Sequence, residues 1–136
     1  MKLDFLAKFA DPVMQTPAGQ GAFLAGVVLG MVARGQTKDG SIDGAPLFKQ
    51  MTFGRMKRRD LKRHLARVPE LVKAYDLNYK DLIRKLAAYA GELILQDEGF
   101  ELGVDGNFAF ATAFMNAREY FWTIFGKQHG ENDEGN

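Results

Sequence analysis

No cysteine occurs anywhere in the 136 residues, so disulfides and cysteine-ligated zinc are excluded, and a reducing compartment fits. Histidine is almost as scarce. His64 and His129 are too few and too far apart for a usual metal motif, and no metal or cofactor is implied. Long hydrophobic runs are missing too. The most apolar stretch, GAFLAGVVLGMVA at residues 21–33, is followed directly by Arg34 and falls short of the ~20 residues that span a bilayer. The N-terminus, MKLDFLAKFADPV, carries Asp4 and no extended apolar segment, which does not fit a signal peptide. These absences point to a soluble, cytoplasmic chain without a membrane partner.

What is present fits one compact domain. Apolar residues make up 46% and aromatics 12% of the chain, enough to bury a core at this length. Strand-like alternation and internal repeats are missing, whereas helical spacing recurs. Leu3, Leu6 and Phe9 or Ala10 mark a short amphipathic helix stopped by Asp11-Pro12. Thr16-Pro17 fits an N-cap and first-turn proline opening a helix that ends near Arg34, with Gly35 as its stop. Within it Ala22, Gly26, Gly30 and Ala33 share a face, and the glycines predict close approach by another helix. A phosphate-binding glycine loop is excluded, because no strand precedes and no GK[ST] follows.

Residues 36–46, QTKDGSIDGAP, read as a turn, since Asp39 and Asp43 lack the spacing of a calcium loop. PLFKQMTF follows as a core crossing that buries Leu47, Phe48, Met51 and Phe53. A helix is expected over residues 55–68, then a short one opened by Pro69. Asn78 is expected to cap the next, which carries Tyr79, Leu82, Ile83, Leu86, Ala90, Leu93 and Ile94 at i, i+3, i+4 spacing. A last core helix is expected from about Phe108 to Phe125. The fold class is all-α, a single-domain bundle of five or six helices over residues 1–127, with a disordered acidic tail at 128–136.

Charge is the unusual feature. The chain carries 18 basic and 17 acidic residues, a net of +1. Between Phe48 and Arg67, however, Lys49, Arg55, Lys57, Arg58, Arg59, Lys62, Arg63 and Arg67 stand against Asp60 alone, a net of +7. Residues 91–136 reverse this, with nine acids against Arg118 and Lys127. At 100° per residue Leu61, Leu65 and Val68 form a narrow apolar stripe, and Arg58, Arg59, Lys62, Arg63 and Arg67 occupy one half of the helix. Arg58–Lys62, Arg59–Arg63 and Arg63–Arg67 are like-charge pairs at i, i+4, unfavourable without an anion. A solvated face normally interleaves acids. This one does not, and four of its five cations are arginine, whose planar fork suits phosphate. Lys80 and Arg84 extend the pattern more weakly, mixed with acids.

Three alternatives compete with a polyanion partner. A membrane surface would require a wider exposed apolar face. A helix-turn-helix regulator would place the basic helix second, and no Asn, Gln or Ser opens it for base reading. A helical protein-interaction module docking an acidic partner stays open. Catalysis is not expected. His64 lies among cations that keep it neutral, as a capped or solvent-facing residue, and no paired-carboxylate or E-x-x-H spacing occurs.

The order of features resembles a known family. GAFLAGVVLGMVARGQ, then APLFKQMTFGRM, then KRRDLKRHLARV and a further helix are similar to the C-terminal helical region of the large subunit of type I CRISPR Cascade complexes, notably the type I-B branch. The resemblance covers roughly residues 19–95. That region also occurs as a free small subunit made from an internal translation start, and Met1 directly ahead of the bundle suits such an origin. The resemblance implies a non-catalytic bundle lining an RNA-guided complex beside its backbone and large subunits and further copies of itself. Such a bundle holds the guide RNA–DNA heteroduplex and the displaced DNA strand. The charge face itself, not a family motif, nominates Lys49, Arg55, Lys57, Arg58, Arg59, Lys62, Arg63, Arg67, Lys80 and Arg84 as nucleic-acid contacts.

Overall fold

A computed structural model describes residues 1–126, and these fold as an all-α domain. The expected tail at 128–136, with His129, lies outside them. Two 3-10 turns, Asp4–Lys8 and Pro12–Gln15, precede seven α-helices. These are α1 (Pro17–Gly35), α2 (Pro46–Gln50), α3 (Arg58–Ala66), α4 (Val68–Ala74), α5 (Lys80–Leu95), α6 (Gly103–Met115) and α7 (Ala117–Phe125). The segment expected as a first amphipathic helix is thus 3-10 in geometry, and it still buries Leu6.

Helix α1 is the axis. Thr16 caps it, its hydroxyl accepting from the Gly19 N–H at 3.0 Å, and Pro17 opens it without needing a hydrogen bond. Every residue from 21 to 30 is buried. By length and composition α1 could cross a membrane, being longer than its apolar run alone indicates, yet 78% of its most apolar window is covered by the rest of the fold.

The glycines explain how it is covered so tightly. A Cβ on Gly26 would lie 2.5 Å from the Phe110 carbonyl oxygen, and one on Gly30 would lie 2.4 Å from that of Phe114. Backbone therefore meets backbone where α1 runs beside α6, with Ala113 and Ala117 as the facing small residues. Gly21 does the same toward α5, its missing Cβ 3.0 Å from the Ala90 carbonyl oxygen. Since α6 pairs with α1 in the same direction and α5 in the opposite one, the start of α6 and the end of α5 lie at one end of the domain. The N-terminal segment closes on α7, the Lys2 N–H donating to the Ile124 carbonyl at 2.7 Å.

Several boundaries differ from the sequence reading for local reasons. The single last helix is two, because at Asn116 both the backbone N–H and the side-chain amide compete for the Thr112 carbonyl, at 3.1 and 2.9 Å. This break raises the helix count. Helix α6 also starts earlier than expected, at Gly103, whose φ of 58° turns the chain. Its Phe108, expected in the core, is 70% exposed. Asn78 does not cap α5. Tyr79 occupies the N-cap position instead, in the left-handed region at φ 63° and without a side-chain capping bond. Leu47 and Met51 are buried as expected, whereas Phe48 and Phe53 are half-buried at the core's edge.

Candidate nucleic-acid interface

The basic helix α3 is shorter than residues 55–68 and opens at Arg58, with Lys57 as N-cap. Asp60 makes this start possible. Its Oδ2 accepts from the Lys57 N–H at 2.9 Å, satisfying one donor that the helix leaves open, and its Oδ1 pairs with Arg63 at 3.2 Å. The apolar stripe docks as its spacing requires, with Leu61, Leu65 and Val68 all buried.

His64 joins that stripe. It is 6% exposed rather than capped or solvent-facing. Burial pushes its pKa below the usual histidine value, the Arg63 and Arg67 charges push the same way, and Asp60 opposes them. The ring is therefore a neutral core group.

On the opposite side Arg59, Lys62, Arg63 and Arg67 are all exposed. Arg55 and Lys57 reach solvent from the lead-in to α3, on either side of the buried Met56. The lead-in is fixed by Asn107 of α6. Its Oδ1 accepts from the Met56 N–H at 2.7 Å, while its Nδ2 donates to the Met56 carbonyl at 3.1 Å and to that of Gly103 at 2.8 Å. Sequence reasoning missed Asn107, although an amide within the apolar run NFAFATAF is a visible signal. The residue is 5% exposed, and burying an amide at that depth requires partners.

Arg58 behaves differently from its neighbours. Its Nε donates to the Ile94 carbonyl at 3.2 Å and its Nη1 to that of Glu98 at 3.4 Å. The guanidinium thus satisfies one carbonyl at the C-terminal end of α5, where cations are favoured, and one in the turn beyond it. It ties α3 to α5 and faces solvent less than its helical angle indicates.

The remaining candidates divide. Lys49 is exposed in the last turn of α2, a separate element. On α5, Lys80 pairs with Asp76, and Arg84 pairs with Asp81 at 3.3 Å. Arg84 nevertheless comes to the α3 face. With Lys62 it lines a groove of about 380 Å³ between α3 and α5, floored by Leu65, Ala87 and Gly91. A larger groove of about 910 Å³ separates Arg55, Lys57 and Arg59 from Glu98 and Glu101 on the turn between α5 and α6.

The resulting geometry is a cationic bank along α3 and its lead-in. Among the described residues, Arg55, Lys57, Arg59, Lys62 and Arg67 form no ion pair, and the exposed Arg63–Asp60 pair is worth at most about 1 kcal/mol. Among the described residues, no group of three or more His, Asp or Glu side chains is placed to hold a metal.

Fold and face together define a helical domain that presents a band of positive charge on a fixed frame. The chain belongs to the family described as the C-terminal domain of CRISPR-associated protein TM1802, whose model matches residues 2–128. This match bears out the resemblance to a CRISPR-associated helical region and extends it into α6 and α7. No curated protein and no solved structure matches the chain.

Proposed function

We propose that this domain is a non-catalytic small subunit of an RNA-guided CRISPR surveillance complex of the Cascade type, working in the cytoplasm. Its role there is to hold nucleic-acid backbone without regard to sequence. The observation that carries this reading is the exposure of Arg55, Lys57, Arg59, Lys62, Arg63 and Arg67 together, with Asp60 the one acid among them. Guanidinium and ammonium groups on a rigid frame meet phosphate oxygens, and the lack of aromatics interleaved among them leaves base identity unread.

The energetic argument supports the same role. Opening a DNA duplex against a guide RNA is nearly balanced, so a few backbone contacts decide whether the displaced and paired strands stay apart. The other subunits of the complex are the natural partners, completing a channel of which α3 is one wall.

The test is binding to single- and double-stranded DNA of unrelated sequences across a salt series, for wild type and for Arg59→Glu/Arg63→Glu. Expected are similar affinities across sequences, a log–log salt slope of roughly −3 to −5, and loss of binding in the double variant. Binding that depends on sequence, or that survives the double charge reversal, would refute the reading.

A further inference from the structure

Helix α6 is apolar on both of its sides. Phe110, Ala113 and Phe114 are buried toward the core. On the far side Val104 is 85% exposed and Phe108 70%, the two most exposed large apolar side chains among the described residues, and Met115 is 48% exposed. At 100° per residue these three and the half-buried Ala111 fall within about 60° of one another. They are spaced by four, three and four residues, the alternation with which one helix presents a seam to another. A surface helix is ordinarily polar on the side away from its core, so the domain's own packing does not account for this stripe.

The charges beside the stripe define what covers it. At its Val104 end the stripe opens into the groove of about 910 Å³, where Arg55 and Lys57 stand on one wall and Glu98 and Glu101 on the other. Asn107, which holds Met56 between Arg55 and Lys57, lies on one flank of the stripe, and Asp105 lies on the other. Among the described residues Arg55, Lys57, Glu98, Glu101 and Asp105 form no ion pair with each other or with any other group. Opposite charges are therefore held apart across open space. A polyanion lying on Lys62, Arg63 and Arg67 stays clear of this groove, whereas one entering it meets Glu98 and Glu101. An anionic lipid surface meets the same repulsion. A ligand that suits both walls carries both signs, one on each side of an apolar strip.

We propose that the outward stripe of α6 docks an amphipathic helix of another protein chain. Its apolar seam would lie on Val104, Phe108, Ala111 and Met115, with an acidic flank toward Arg55 and Lys57 and a basic flank toward Glu101 and Asp105. The small Ala111 permits close approach, as Ala113 does where α6 meets Gly26 of α1. The stripe measures about 16 Å by 10 Å, well short of the ~800 Å² that each partner contributes to a stand-alone interface. It suits one helix within a larger contact rather than a free dimer of this chain. The docking reading goes beyond strand holding by α3 and does not depend on it.

The experiment titrates the full chain into a labelled synthetic helix of about three heptads, with leucine along its seam, glutamate along one flank and lysine along the other. Control peptides carry glutamate on both flanks, lysine on both flanks, or the same composition scrambled. Expected is saturable fluorescence anisotropy with the mixed-flank peptide and binding about tenfold weaker or more with each control. Phe108→Asp and Val104→Asp, at exposed positions, should each weaken binding about tenfold with an unchanged circular dichroism spectrum. Arg55→Glu/Lys57→Glu should shift the preference to the peptide with lysine on both flanks.

Phe108→Asp should bind DNA as wild type does, so loss of the peptide and loss of DNA are read separately. Failure of DNA binding at α3 would leave the peptide result standing. No saturable binding of the mixed-flank peptide, equal binding of the scrambled one, or affinities unaltered in both α6 variants, would overturn the proposal. Sedimentation of the chain alone completes the test. A dimer that Phe108→Asp abolishes would assign the stripe to a second copy and overturn the proposal as well.

Discussion

The side-chain amide of Asn107 and the backbone of Met56 form a reciprocal pair, donor to acceptor in both directions, at 2.7 and 3.1 Å. Through it a residue late in the chain fixes the segment from which Arg55 and Lys57 project. Asn107→Ala leaves a buried N–H and a buried C=O without partners, at ~1–3 kcal/mol each. The expected loss is about 2–4 kcal/mol in urea unfolding. A loss below 0.5 kcal/mol, roughly that of an ordinary surface change, would show that the pair contributes little.

The glycines of α1 and α5 should respond in opposite directions. Gly30→Ala puts a methyl group 2.4 Å from a backbone carbonyl and 2.5 Å from the Ala117 Cβ, so α1 and α6 must separate, at a cost of roughly 1–3 kcal/mol. Gly91→Ala on α5 meets nothing within 4 Å and removes a helical glycine, which should stabilise by about 0.5–1 kcal/mol. Thermal melts of the two variants beside wild type check both signs.

Arg58 and Arg59 are adjacent in sequence and should divide by function. Arg58→Ala removes the donors to Ile94 and Glu98, and should cost about 1–2 kcal/mol of stability. Arg59→Ala should leave the melting temperature unchanged and reduce the salt slope of DNA binding by about one contact. Paired melts and salt titrations decide. If both variants behave alike, the division of roles is wrong.

His64 gives the domain a pH dependence of definite sign. Its folded pKa is depressed by burial first and by Arg63 next, so the unfolded chain binds its proton more readily. Stability is then full above the unfolded value of about 6.5 and declines as pH falls below it toward the folded value. His64→Leu should flatten the melting curve between about pH 7 and pH 5. Asp39 and Asp76 are shifted in the same direction, each below 3.8, and their contribution is lost only in stronger acid.

Periodicity revealed much of this architecture because the helices obey it. The apolar stripe of α3, the Thr16 cap and the close-packing glycines of α1 all follow from spacing and local chemistry. What escaped depends on partners distant in sequence. Helical angle alone places Arg58 on the cationic face, and only the position of the α5 terminus turns it inward. His64 lies among cations in the sequence, yet its angle sits beside the Leu61–Leu65 stripe and the core takes it. The split at Asn116 and the left-handed Tyr79 are decided by competing hydrogen bonds and by tertiary contact. The charges flanking the outward stripe of α6 come from Arg55 and Lys57 and from Glu101 and Asp105, which no single window contains.

The enclosure of α1 also sets an order of events at the ribosome. This helix emerges before the α6 and α7 surfaces that cover its glycine face, Phe110 lying 110 − 26 = 84 residues beyond Gly26. At roughly 5–20 residues per second, that interval lasts on the order of 4 to 17 s. Until it ends, the most apolar helix of the domain has half of its packing partners still unmade. The nascent chain must shelter that surface in loose, reversible contacts or on a chaperone, and α1 is enclosed well after it is synthesised.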